Sequence, residues 1–116
     1  MEYDLITVAE TEPFQRKAAR LLTENEKTEL VDYLAMHPNA GVLIQGSGGI
    51  RKLRWARTGM GKSGGVRVVY YFHDVEMPLY LLTLFGKNEK FNISLEEKIA
   101  LSKSVKKLVK YWRQIQ

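Results

Sequence analysis

Apolar residues recur three and four positions apart in some stretches of this chain and at every second position in others, and the changes of period mark its elements. Tyr3, Leu5, Ile6 and Val8 form a short β-prone opening run. Thr11, Glu12 and Pro13 then set up a helix start, since proline is tolerated in a first turn whose N–H groups lack partners. Phe14, Ala18, Leu21 and Leu22 follow at helical spacing. Thr23 to Glu26 matches a capping box, in which hydroxyl and carboxylate satisfy free N–H groups reciprocally. It opens a second helix with Leu30, Val31 and Leu34 on its buried side, ending before Pro38. The two are expected to form an antiparallel hairpin.

Glycines at 41, 46, 48 and 49 make the next segment a connection, with one short apolar anchor at Val42, Leu43 and Ile44. After it the period becomes two. In residues 50–57, Leu53 and Trp55 point to one face while Lys52 and Arg54 point to the other, the pattern of a half-buried strand. Residues 66–73 are rich in β-branched and aromatic side chains, and residues 79–85 are almost continuously apolar, as in a strand covered on both sides. A turn at 74–78 joins them. Ser94 to Glu97 is a second capping box, opening a helix whose Leu101, Val105, Leu108 and Trp112 share a face. The order predicted is β-α-α-β-β-β-α: an α+β fold with a small antiparallel sheet, an N-terminal helical hairpin and a C-terminal helix, in one domain over 1–116.

Composition narrows the function classes. At 116 residues, 45% hydrophobic and 27% charged, the chain reads as an ordinary globular protein, neither disordered nor membrane-spanning. The absence of cysteine excludes disulfides and thiolate metal sites, and the N-terminus lacks a signal pattern, so the cytoplasm is the expected compartment. Charge is unevenly placed: residues 1–32 hold eight acidic and four basic side chains, residues 33–73 six basic and no acidic ones. Arg51, Lys52, Arg54, Arg57, Lys62 and Arg67 fall within seventeen positions, a density that suits a polyanion such as RNA or DNA or else a solvated basic surface. The final helix carries a second basic face, Lys103, Lys106, Lys107, Lys110 and Arg113, for which plain solvation is the simpler reading.

Other motifs carry little chemistry. Residues 56–63 fit a relaxed P-loop pattern, but such a loop needs a helix N-terminus behind it, and here glycines lead into a strand. His37 and His73 lie in different elements without a carboxylate cluster, which supports neither metal ligation nor a histidine acid/base pair. Ser47 and Ser63 lack the strand-to-helix elbow of a nucleophile. Tyr70, Tyr71 and Tyr80 read as core or sheet-face residues, one of which could stack on a base.

Three ordered blocks, IQGSGGIRKLR (44–54), GKSGGVRVVYY (61–71) and LLTLFGKNE (81–89), resemble the signature segments of HigB-type toxins in the RelE superfamily, and the likeness extends from about Phe14 to the last helix. It implies a ribosome-dependent mRNA endonuclease without a cofactor or metal, neutralised by a cognate antitoxin, with the ribosome and mRNA as further partners. It also implies a site of basic residues on the concave sheet face. Carried over by position, these are Lys52, Arg54, Arg67 and Lys87 as catalytic residues. Arg51, Arg57, Lys62, Asn88 and Lys90 are expected to bind RNA. Two departures from the RelE pattern stand out: Asn88 replaces an arginine after the Gly-Lys pair, and no tyrosine stands directly after Phe91, where the catalytic phenol of that pattern lies.

RNA can be cut without metal or histidine when the ribose 2′-OH attacks the adjacent phosphate. Clustered guanidinium and ammonium groups then stabilise the growing charge. Repulsion and partial desolvation can lower a lysine pKa towards that of a general base, for which Lys52 is the first candidate. Arg54 and Arg67 fall to the phosphate and Lys87 to the leaving group or backbone. Two other readings remain open at this stage: a non-enzymatic ParE-like toxin of the same superfamily, and a plain nucleic-acid-binding module.

Overall fold

The computed structural model describes residues 6–57, 61–90 and 92–115, and of Arg57 and residues 61–64 the backbone alone. Among the described residues the order is β1 (Val8–Glu10), α1 (Glu12–Leu21), α2 (Glu24–Met36), β2 (Val42–Leu43), β3 (Ile50–Arg57), β4 (Gly61–Tyr71), β5 (Leu79–Gly86) and α3 (Leu95–Gln114). Tyr3 and Leu5 of the opening run lie outside the described residues.

The helices begin where the side chains dictate. Thr11 caps α1, accepting from the Phe14 N–H, while its hydroxyl donates to the carbonyls of Leu81 and Leu82 and so fastens the cap to β5. Both capping boxes form, Thr23 with Glu26 on α2 and Ser94 with Glu97 on α3. Each satisfies two N–H groups that a helix start leaves free.

Five strands make one sheet in the order β1-β5-β4-β3-β2. The three strands predicted form an antiparallel meander; β1 adds to β5 in parallel, which makes the sheet mixed. Nothing local encodes that pairing, since Val8 meets Leu79 far along the chain. Of the expected anchor only Ile44 packs against a core, whereas Val42 and Leu43, 65% and 60% exposed, form an edge strand held by backbone pairing to Arg51 and Lys52. The glycine-rich start of β4 also extends further back than its composition suggests, because hairpin pairing between Arg57 and Gly61 overrides the low strand preference of glycine.

Each sheet face has its own core. Phe14 and Ala18 of α1, Leu22 at its C-terminal cap, and Leu30 and Leu34 of α2 pack on Val66, Val68, Tyr70, Leu79, Leu81 and Leu84. On the reverse face Val105 of α3 packs with Ile50, Val69, Tyr71, Leu82 and Phe85. Covered on both sides, β5 is buried at all but one position, which explains its unbroken apolar run.

Candidate functional site

Alternation along β3 sends Lys52 and Arg54 to the face that α3 shares, and the register with β4 sets Arg54 directly opposite Arg67. Along that face the cross-strand rows run Ile50 with Tyr71, Lys52 with Val69, and Arg54 with Arg67 and Phe85. The first row belongs to the apolar core under α3, whereas the last two turn basic. A groove of about 460 Å³ opens there, lined by Ala40, Val42, Lys52, Leu53, Arg54 and Arg67.

Like charges directly opposite on a sheet repel, so the Arg54–Arg67 pair works against the fold. Arg67 bears the larger cost: burial, and then the neighbouring Arg54 charge, hold its guanidinium below the ordinary value. Its Nη1 is buried with no hydrogen-bond partner among the described residues. An unpaired buried donor is costly, and an anion in the groove would relieve both penalties. At the next row Lys52 Nζ donates to Asn92 Oδ1 at 3.3 Å, and the same oxygen accepts the Ile93 N–H at 3.0 Å, which fixes its orientation.

The wall of the groove is pinned from beneath. Tyr70 lies on the opposite face, fully buried, and its hydroxyl donates to the Pro38 carbonyl and accepts the Gly41 N–H, both at 2.8 Å. Gly41 has no room for a side chain, since a Cβ would stand 2.9 Å from both the Lys52 carbonyl oxygen and the Tyr70 ring.

The structure thus brings together Lys52, Arg54 and Arg67. Lys87 and Asn88 sit in the turn after β5, where the Lys87 N–H donates to the Gly65 carbonyl at 3.2 Å, and neither lines the groove. Arg51 projects from the other face and donates to the Asn39 and Gly41 carbonyls, a structural contact behind the groove wall. Lys90 gives its Nζ to both Glu97 carboxylate oxygens at 2.7 Å and lies 5.0 Å from the centre of the Phe85 ring, so its charge is already met. The side chains of Arg57 and Lys62 lie outside the described residues, as does the centre of the P-loop-like segment; its described end, from Gly61, is strand rather than the required helix.

Sequence reading missed Asn92 and the Lys90–Glu97 latch, contacts across distance that no spacing encodes. Ser47 is buried, its hydroxyl holding the turn through the Ile44 carbonyl at 2.6 Å and the Ile50 N–H at 3.0 Å. His73 is better connected than expected: Nδ1 lies 3.2 Å from the Tyr71 hydroxyl and Nε2 3.5 Å from Asp74. Among the described residues no cluster of three or more His, Cys, Asp or Glu could hold a metal ion, and no helix is long and apolar enough to cross a membrane. A family model described as the RelE toxin of the RelE / RelB toxin-antitoxin system matches residues 7–115.

Proposed function

Because the chain belongs to the RelE toxin family of toxin–antitoxin systems, we propose that it halts translation by cutting messenger RNA on the ribosome, as the HigB-type branch it resembles does, with the Arg54–Arg67 groove as the place of cleavage. An antitoxin partner comes with the family. The observation that carries the reading is the buried, unpartnered Nη1 of Arg67 opposite a second guanidinium, an arrangement that is costly empty and satisfied by a phosphate. The chain acts as one domain in the cytoplasm, where its ribosomes are.

In the reaction the ribose 2′ oxygen forms a bond to phosphorus and the bond from phosphorus to the 5′ oxygen breaks, leaving a 2′,3′-cyclic phosphate and a 5′-OH. Arg54 and Arg67 hold the equatorial oxygens as their charge grows, Arg67 through a planar fork of donors. Lys52, steadied by Asn92, takes the 2′-OH proton. The leaving 5′ oxygen takes its proton from the Lys87 ammonium or from water, with Asn88 next to Lys87 in the turn after β5.

A site with no histidine lining it leaves much of the work to substrate alignment, which the ribosome supplies by holding the message near in-line geometry. Inducing the chain in cells and mapping new mRNA 5′ ends tests the assignment. Cuts should be confined to translated reading frames and bear 5′-OH ends, and naked mRNA should be cut far more slowly than mRNA on translating ribosomes. Equal rates on both substrates would overturn it.

A further inference from the structure

A second cavity, of about 550 Å³, opens on the sheet face that α3 covers and shares no lining residue with the basic groove. Its floor includes Tyr71, Val105 and Val109, and its rim carries Lys106, Lys110 and Arg113. The wall opposite the helix is the turn before β3, clamped to α3 by Ser102 Oγ donating to the Ser47 carbonyl at 2.6 Å and Lys98 Nζ donating to the Gln45 carbonyl at 3.0 Å. Among the described residues none of the three rim cations makes an ion pair or hydrogen bond. Asp74, the acid beside His73, does not line the cavity. From Lys98 to the C-terminus the sequence has six basic residues and no acidic one.

An apolar floor with unpaired cations around it fits a ligand that is apolar at its centre and anionic at its edges. A phosphodiester backbone would satisfy the rim and leave the floor wet. A folded peptide segment presenting an aliphatic or aromatic anchor between carboxylates satisfies both. We infer that this cavity seats an acidic, amphipathic segment of the antitoxin, with an apolar side chain against Val105 and Val109 and carboxylates on Lys106, Lys110 and Arg113. The inference rests on the toxin–antitoxin reading, and not on where or whether RNA is cut. Docking there leaves the basic groove unlined by the anchor, so the antitoxin's grip and the toxin's chemistry become separable by mutation.

The test is the double variant Lys110→Glu, Arg113→Glu, which reverses two exposed side chains and leaves the core intact. Affinity for the purified co-encoded antitoxin is measured by calorimetry, cleavage in a translating extract with and without that antitoxin, and folding by thermal melt. The expected result is an affinity lower by about thirtyfold or more, the usual cost of opposing a buried interfacial charge, with ribosomal cleavage retained and no longer suppressed by the antitoxin. The milder Lys110→Gln, Arg113→Gln pair, which introduces no new charge, should show an intermediate loss at an unchanged melting temperature. Wild-type affinity in the folded charge-reversed variant would overturn the inference. So would unchanged affinity with lost cleavage, which would make this face a contact for ribosomal or messenger RNA. Weakened antitoxin binding together with a wild-type chain that cuts nothing would leave the docking site standing and fell the cleavage reading alone.

Discussion

Arg67 concentrates the conflict between fold and function in one side chain. A base whose pKa is lowered by folding is one whose charged form the fold disfavours, so at neutral pH the Arg67 cation costs stability that a bound phosphate offsets. Arg67→Ala should therefore slow ribosome-dependent cleavage about a hundredfold, on the order of 3 kcal/mol by analogy with loss of one oxyanion donor, while the melting temperature holds or rises. Arg67→Lys should recover only part of the rate, because an ammonium restores charge without the planar fork. Cleavage rate beside a thermal melt checks both. Wild-type cleavage by folded Arg67→Ala would remove the residue from the site. This much was legible in the sequence, since a period of two fixes which side chains share a face, and Arg54 with Arg67 needed only the register. Lys90 shows where such legibility stops: it reads as one more cation for RNA until Glu97 is seen on its ammonium.

At the scale of elements, the capping boxes were the most readable features, because each is a local bargain between residues three apart. The two-residue β2 was not readable, since an edge strand held by backbone pairing leaves no alternation to detect. Nor was the groove wall, which depends on a hydroxyl 29 residues from the N–H it accepts. That contact gives Tyr70 a role beyond the core it was expected to join. Tyr70→Phe keeps the ring and its packing but strips the Gly41 N–H and the Pro38 carbonyl of their partner. The expected loss is about 1–3 kcal/mol, the usual cost of leaving a buried group unsatisfied, read as a lower midpoint in a denaturant melt. Cleavage should fall as well, because Ala40 and Val42, the neighbours of Gly41, line the groove. A variant as stable and as active as the wild type would show that the wall holds without the hydroxyl.

Across the whole molecule, one sheet separates a face that is nearly all core from a face that α3 covers at one end only, and the candidate site lies at the uncovered end. Class and helix placement followed from periodicity. The parallel β1 did not, and neither did the side-chain contacts that fix residues 86–90 and tie Lys90 to the start of α3. Two carboxylates make those contacts. The Gly86 N–H, aided by Arg20, keeps Glu89 below its ordinary 4.5 despite some burial. Burial pushes Glu97 upward, but hydrogen bonds from Lys90 and Ser94 outweigh it, and its pKa also ends below 4.5. A carboxylate whose pKa is lowered by folding binds fewer protons in the native state than in the unfolded one, so its contribution is fully present above 4.5 and is lost as pH falls through the lowered native value. Glu97→Gln keeps one oxygen to accept from Ser94 and Lys90, replaces the other with an NH2 donor, and cannot titrate. It should melt somewhat lower than the wild type at neutral pH, and the gap should close as the pH drops below 4.5, since only the wild type still has a charge to lose. Melting curves of both proteins at intervals from neutral to acid pH decide it. Parallel curves down to the acid end would mean that the Lys90–Glu97 latch carries no pH-dependent share of the stability.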